Sequence, residues 1–421
     1  MTEEWLQCIG CRSRYPIQEV RYACDCGNLL AVERPPEALP ALHPSLFDAR
    51  ADQRAPIDQS GVWRFREAVL DVGERDIVTH PEGGTRLYSR PQLSAWAGIE
   101  HLSFKHEGEN PTGSFKDRGM TVAMTQAVRL GARAVACAST GNTSASLAAY
   151  AAQAGKKAFV FVPSGKISMS KLAQSLAYGA FHLKVDGDFD SAMALARQAC
   201  ERLGIYLLNS VNPFRIEGQK TIAWEILQDL SWNPPDWIAL PAGNLGNTSA
   251  FGKALLEAFR AGWISKVPRL AAIQSSTANP FFLSYQQDFK SRPKVKAETI
   301  ATAIRIGDPV SFEKAKSAIL ATRGVVAQVS DEELLLAKRQ IDRTGLGCEP
   351  ASACSLAGVK SLREQGVIRA REQVVCVLTG HLLKDPDAVL YPIPGQSAPE
   401  EQIADVECTI ESVVSALDQW L

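Results

Sequence analysis

From Leu102 onward, short runs of apolar residues alternate with longer stretches in which apolar positions recur at helical spacing. The runs Leu102–Lys105, Ala134–Ala138, Ala158–Val162, Trp237–Leu240, Leu270–Gln274 and Val374–Leu378 predict strands. The stretches Thr143–Ala154, Asp190–Leu203, Thr248–Ala261 and Asp331–Arg343 predict helices. Strands that are apolar throughout, rather than at alternate positions, are buried on both faces. With helical connectors between them they imply an α/β architecture around mostly parallel sheets. Such sheets bind ligands beyond the carboxyl ends of their strands, so the chemistry is expected in the loops that follow strands. Ahead of this region Trp63-Arg-Phe-Arg66 opens a short helix, and Lys290–Lys296 reads as a polar surface loop.

Length and charge narrow the possibilities. A chain of 421 residues exceeds one ordinary domain and suits two. Lys and Arg total 45 against 46 Asp and Glu, a balance that gives nucleic acid or an anionic membrane nothing to attract. The start, Met1-Thr-Glu-Glu-Trp5, is acidic where a secretory signal is basic, and no apolar run approaches the ~20 residues of a membrane span. A reducing, cytoplasmic setting is expected.

Four of the ten cysteines lie in the first 26 residues, and the others are scattered among apolar neighbours as small core residues are. The segment 1–34 therefore stands apart, and the proline pair Pro35-Pro36 follows it. Cys8-Ile-Gly-Cys11 has the spacing of half a zinc knuckle, while Cys24-Asp-Cys26-Gly27 is one residue shorter than a usual second half. A structural zinc on Cys8, Cys11, Cys24 and Cys26 is one expectation. The other is that the thiols are free and the segment docks through Trp5, Tyr15 and Tyr22.

Four polar, glycine-bearing motifs follow predicted strands. In His106-Glu-Gly-Glu-Asn-Pro-Thr-Gly-Ser-Phe-Lys-Asp-Arg-Gly119 a helix is expected to begin near Ser114, which puts Lys116 in its first turn. The helix dipole there disfavours a cation, so a neutral amine able to attack an aldehyde is easier to reach. Phe115 beside it can lie against a planar ring. Ala138-Ser-Thr-Gly-Asn-Thr-Ser144 offers backbone amides, hydroxyls and a carboxamide at a helix start, which suits a carboxylate and also suits an ordinary helix cap. Pro241-Ala-Gly-Asn-Leu-Gly-Asn-Thr248 can form a nest of amides for a phosphate, with neither the dinucleotide nor the Walker spacing. In Val377-Leu-Thr-Gly-His-Leu-Leu-Lys-Asp385, Thr379 ends a buried strand and can offer a hydroxyl to the crevice, or merely end the strand.

Schiff-base lysine, carboxylate loop, phosphate nest and hydroxyl, in that order, resemble the β-family (fold type II) of pyridoxal-phosphate enzymes. Within it the wording resembles the threonine synthase family. Besides the motifs above, Asn209-Ser-Val-Asn-Pro-Phe-Arg-Ile-Glu-Gly-Gln-Lys220 and Cys348-Glu-Pro-Ala-Ser352 carry the likeness, which runs from about Trp5 to Pro386. The resemblance implies two intertwined domains, 35–215 and 216–421, behind a rubredoxin-like segment 1–34. It implies pyridoxal 5'-phosphate on Lys116, with Phe115 against its ring and Asn142 at its phenolic oxygen. Gly243, Asn244, Leu245, Gly246 and Asn247 would hold its phosphate, and Thr379 would face the ring nitrogen. Ser139, Thr140 and Thr143 would bind the substrate carboxylate, with Asn209, Ser210 and Arg215 at the substrate's own phosphate. Those last three also fit structural roles, a salt-bridged arginine and two loop caps. The implied reaction turns O-phospho-L-homoserine and water into L-threonine and phosphate, and a homodimer is the family expectation.

One departure stands out. The family reads Glu-Gly-Asn-Thr-Pro-Leu where this chain has Glu82-Gly-Gly-Thr-Arg-Leu87, which puts the shape of that loop in question. Competing readings are a serine or threonine dehydratase of the same fold, a catalytically silent paralogue, and a nucleic-acid module built on the cysteines. The dehydratases hold their phosphate with a run of glycines rather than this asparagine-bearing nest. An intact Lys116 opposes the silent paralogue, and no basic surface supports the third reading.

Overall fold

The computed structural model describes residues 3–164, 169–395 and 403–418, so Met1 and Thr2 of the acidic start lie outside it. The described residues form three sheets. An N-terminal antiparallel ribbon runs in the order β2-β1-β3, from β1 (Trp5–Cys8), β2 (Arg14–Pro16) and β3 (Leu30–Glu33). The largest sheet has the order β12-β11-β10-β13-β5-β4. Its strands are β4 (Leu87–Ser89), β5 (His101–His106), β10 (Trp237–Pro241), β11 (Arg269–Ser275), β12 (Val325–Val329) and β13 (Gln373–Leu378). A third sheet runs β8-β7-β6-β9, from β6 (Ala134–Ala138), β7 (Lys157–Pro163), β8 (Phe181–Val185) and β9 (Tyr206–Leu207). In the two larger sheets every pair is parallel except β4 with β5. This is the mostly parallel α/β fold the apolar runs predict. The chain leaves the six-stranded sheet after β5, builds the four-stranded one, and returns at β10.

Burial explains which strands the pattern reveals. Every residue of β10 is buried, as a central parallel strand covered by helices on both faces requires. At the edge of its sheet, β8 keeps only Val185 buried, and its mixed sequence Phe-His-Leu-Lys-Val hides the strand from an apolar-run reading.

Two glycines bring the Lys116 helix (Lys116–Arg129) against the Arg215 helix (Phe214–Gln219). A Cβ on Gly218 would stand 1.7 Å from the Arg118 carbonyl oxygen, and one on Gly119 would stand 2.9 Å from that of Arg215. Only bare backbones pack this closely, and the contact fixes where Lys116 and Arg215 lie relative to each other. A buried charge network ties the Lys116 helix to the turn after β5 and to the next helix, Thr221–Asp229. Arg118 grips Glu107 through Nε and Nη2, both at 2.7 Å, and also donates to Glu225. Lys105 pairs with Glu225 at 3.2 Å and Asp229 at 2.7 Å. Buried charges of this kind keep their place only while each is compensated.

The departing loop is held by its neighbours' carboxylates. Glu82 accepts hydrogen bonds from Ser60 and Tyr150, Gly84 N donates to Glu225, and Arg86 N donates to Glu109. Gly84 has φ +60°, a left-handed conformation that asparagine tolerates and glycine adopts freely, so the replacement suits the loop. Arg86 is exposed, and its backbone N–H makes the bond to Glu109 that a proline there could not.

Candidate active site

Two of the predicted loops are laid against each other by backbone hydrogen bonds. Ser114 forms an antiparallel bridge with Gly380. Phe115 N donates to Thr379 O at 3.0 Å, and His381 N donates to Gly113 O at 2.9 Å. The loop after β5 is thus laid against the loop after β13, so Lys116 and Thr379 share the site although 263 residues separate them in sequence (379 − 116).

Lys116 is the first residue of its helix, two residues after the position expected for the helix start, and its Nζ stands 4.2 Å from the Phe115 ring centroid. Burial first, and then the positive charge of Arg215, pull the amine down to about 7, while Glu349 opposes them. Near neutral pH a large share of the amine is uncharged, the form that can attack a carbonyl.

Asn142, at the start of its helix, donates from Nδ2 to Glu349 Oε2 at 2.9 Å. Thr379 Oγ1 lies 3.4 Å from Glu349 Oε1 and 3.1 Å from Ser352 Oγ. A polar line Asn142–Glu349–Thr379–Ser352 therefore crosses the crevice. Burial pushes the Glu349 carboxyl up, against the pull of the Asn142 hydrogen bond and of Lys384 and Lys116. Sequence reasoning gave Glu349 and Ser352 no role. Their signal was the Cys348–Ser352 motif, whose Pro350 opens a helix with Glu349 at its N-cap.

The glycine-rich loop makes a tight turn into a helix. Leu245 is left-handed at φ +63°, and the following helix starts at Gly246. A Cβ on Gly243 would stand 2.8 Å from Ile304 Cα, so glycine is required there. Buried beside this turn, Asn247 Oδ1 and Thr248 Oγ1 have no hydrogen-bond partner among the described residues. Asn244 faces elsewhere: it accepts from Val310 N and donates to Ser210 Oγ, both at 2.7 Å.

Ser139, Thr140 and Thr143 are half-buried around the start of the Asn142 helix, and Ser139 Oγ accepts from Gly141 N at 3.2 Å. Asn209 engages the backbone of Ala138 in both directions at 2.9 Å, which leaves one amide hydrogen for any ligand. Its carboxamide chiefly extends the pairing at the end of β6. Arg215 is buried, and its Nη1 donates to Leu208 O at 3.3 Å. Its Nε has no partner, and no salt bridge to Arg215 is found among the described residues. Burial lowers this guanidinium to about 10, the Cys137 thiol opposing. The expected alternative of a salt-bridged structural arginine does not hold.

These features fit pyridoxal phosphate: a part-neutral lysine, a glycine-bearing turn with orphaned polar atoms beside it, and a buried hydroxyl and a half-buried carboxamide joined through Glu349. They define a pyridoxal-phosphate enzyme of the fold type II class. The sequence profile described as "Pyridoxal-phosphate dependent enzyme" matches residues 78–380. The chain is 45% identical to the threonine synthase of Methanocaldococcus jannaschii over 404 residues, covering 96% of each chain. It is also 45% identical to that of Methanosarcina acetivorans, over 91% of this chain and 93% of that one. It belongs to the threonine synthase family and is a pyridoxal-phosphate-dependent lyase. Among solved structures, the processed threonine deaminase isoform 2 of Solanum lycopersicum superposes with a TM-score of 0.63 at 20% identity, covering 75% of this chain and 88% of that one. That likeness concerns the fold.

Proposed function

We propose that this chain converts O-phospho-L-homoserine and water to L-threonine and phosphate. The observation that carries the reading is Arg215, a buried guanidinium with no carboxylate partner among the described residues, close enough to Lys116 to lower its pKa. A buried cation without a counter-ion is costly unless a ligand supplies one. A phosphate-bearing substrate brings a second anion for it, beyond the α-carboxylate that serine and threonine also carry.

Pyridoxal phosphate would be held by Lys116, Phe115, Asn142, the Gly243–Asn247 amides and Thr379, and when bound it supplies a carbonyl for the substrate amine and a ring that takes up charge from Cα. Ser139, Thr140 and Thr143 would hold the substrate carboxylate with amides at the start of the Asn142 helix. Arg215 and Ser210, the latter oriented by Asn244, would hold the phosphate that departs. Asn209 would keep that loop registered on Ala138. A near-neutral Lys116 can take a proton from Cα and serve a further transfer at Cβ before water adds there, and the departing phosphate can serve another. Thr379 would offer the ring nitrogen a hydroxyl rather than a carboxylate, which would leave that nitrogen neutral.

The same reading includes a division of the chain into 1–34, 35–215 and 216–421, a homodimer and a cytoplasmic setting, with zinc at the cysteine cluster serving the fold. Among the described residues no helix is long and apolar enough to cross a membrane. The test supplies the purified enzyme with O-phospho-L-homoserine, and separately with serine and threonine. Phosphate release matched by threonine is expected. Ammonia from serine or threonine without phosphate release would establish the dehydratase instead.

A further inference from the structure

The four N-terminal cysteines take no part in this chemistry, yet the structure gathers them. Their sulfur atoms all lie within 4.8 Å of one another, Cys8 3.5 Å from Cys26 and Cys11 3.4 Å from Cys24. Zn–S bonds of about 2.3 Å at tetrahedral angles put sulfurs roughly 3.8 Å apart, so the cluster is already close to the size of a tetrathiolate site. All four thiols are free.

The backbone is built for the same purpose. In each pair the residue after the second cysteine is left-handed, Arg12 at φ +67° and Gly27 at φ +83°. In the shorter pair, Gly27 N donates to Cys24 O and Cys24 N donates to Asn28 O, both at 2.8 Å. These bonds close a turn that points both sulfurs the same way despite the missing residue. Each sulfur also has a polar neighbour outside the cluster: Gly10 N for Cys8, Ser13 Oγ for Cys11, Tyr15 Oη for Cys24 and Asn28 Nδ2 for Cys26, at 3.1–3.4 Å. Donors of this kind stabilise thiolates and orient metal ligands. Cys8 and Cys24 are buried while Cys11 and Cys26 are exposed, which leaves an ion a way in.

We propose that Cys8, Cys11, Cys24 and Cys26 bind one Zn²⁺ as thiolates, releasing their four protons to solvent, and that the ion braces the substrate-phosphate loop from behind. Tetrahedral sulfur sites accept zinc or iron, and zinc is favoured because the reaction contains no redox step. The bracing follows from the ribbon's contacts. Tyr22 Oη accepts from Leu207 N at 2.8 Å, two residues before Asn209. Ile17 O accepts from Gln126 of the Lys116 helix at 2.8 Å, and Arg34 reaches Glu217 of the Arg215 helix at 3.5 Å. This second half rests on the proposed function, whereas the metal content does not.

Elemental analysis of the holoenzyme, purified without chelator, is expected to give about one zinc per chain. Cys8→Ser and Cys26→Ser should lose it, and Cys408→Ser, at an exposed thiol elsewhere, should keep it. Should the ribbon variants fail to fold, titration of wild type with a mercurial should release zinc to a chromogenic chelator in step with thiol modification. Metal-free wild type, iron in place of zinc, zinc kept by Cys8→Ser, or zinc release unlinked to thiol modification would each overturn the site. For the brace, zinc removal should raise KM for O-phospho-L-homoserine at least threefold with cofactor occupancy unchanged, and readdition should restore it. An unaltered KM refutes the brace and leaves the zinc count standing by itself.

Discussion

Replacing Arg215 by alanine removes a guanidinium that has one hydrogen bond to Leu208 O, an orphaned Nε and a position close to Lys116. Its worth appears only when a phosphate arrives. Two unit charges at about 4 Å interact by roughly 4 kcal/mol at an effective dielectric constant near 20, and truncating one partner of such a buried pair costs about 2–5 kcal/mol. At about 1.4 kcal/mol per decade, kcat/KM for O-phospho-L-homoserine should fall between roughly 30-fold and several thousand-fold. Folding should respond in the opposite direction. An uncompensated buried charge destabilises the protein without ligand, so the Arg215→Ala apoenzyme should unfold at an equal or higher urea concentration than wild type. Inorganic phosphate should inhibit wild type more than the variant. Steady-state kinetics, phosphate inhibition and urea denaturation read these three quantities separately. A lower unfolding midpoint together with equal phosphate inhibition would refute the reasoning and make Arg215 a structural residue.

Borohydride reduction of the holoenzyme should fix the cofactor on the peptide carrying Lys116, and Lys116→Ala should lose turnover while staying folded; normal turnover in that variant sinks the assignment. Because burial and Arg215 hold Lys116 at about 7, below the ordinary ~10.4, its neutral fraction rises from about pH 6 and saturates near about pH 8. Cofactor attachment to the apoenzyme, followed by absorbance, should track that curve, and a rate still climbing at about pH 10 would show an ordinary lysine. Gly218→Ala would drive a Cβ to 1.7 Å from the Arg118 carbonyl and force the helices apart. Overpacking of this kind costs about 1–3 kcal/mol or more, so the urea midpoint and kcat/KM should both drop. An unchanged midpoint would show that the two helices slide without cost.

What the sequence disclosed follows from what each feature depends on. Strands β6, β10 and β13 were legible within a residue because burial on both faces makes them continuously apolar. β9, with two residues, is too short for any periodicity, and β8 is half polar. The ribbon strands lean on cysteine geometry rather than on an apolar run. The placement of Lys116 and the tight turn at 243–246 were readable because both are local: a helix start in one case, a left-handed residue between glycines in the other. Glu349 was not, since its place comes from a partner 207 residues away at Asn142. Asn209 looked like a ligand because a carboxamide offers the same donors to a phosphate as to the backbone of Ala138. Only the fold shows which it meets. The loop at Gly84 looked doubtful for the opposite reason, since a changed residue type gives no sign that the φ angle it must adopt suits both residues.

The strand order of the six-stranded sheet bears on how the molecule is made. β13, the last strand in sequence, lies between β10 and β5 in its interior. Until Leu378 has left the ribosome, β5 and β10 each present an unpaired parallel edge, one reaching back to residue 101 and the other ending at residue 241. The sheet therefore closes by insertion rather than by growth at its rim, and the contacts that close it span hundreds of residues, which makes closure slow. Open edges awaiting a late strand are where partly made chains pair with one another. Thr379 follows that strand directly, so the crevice is completed by the same event. With Thr379 in the cofactor site, as proposed, a nascent chain would have no complete site to fill while its sheet is open, and cofactor capture would report that folding has finished.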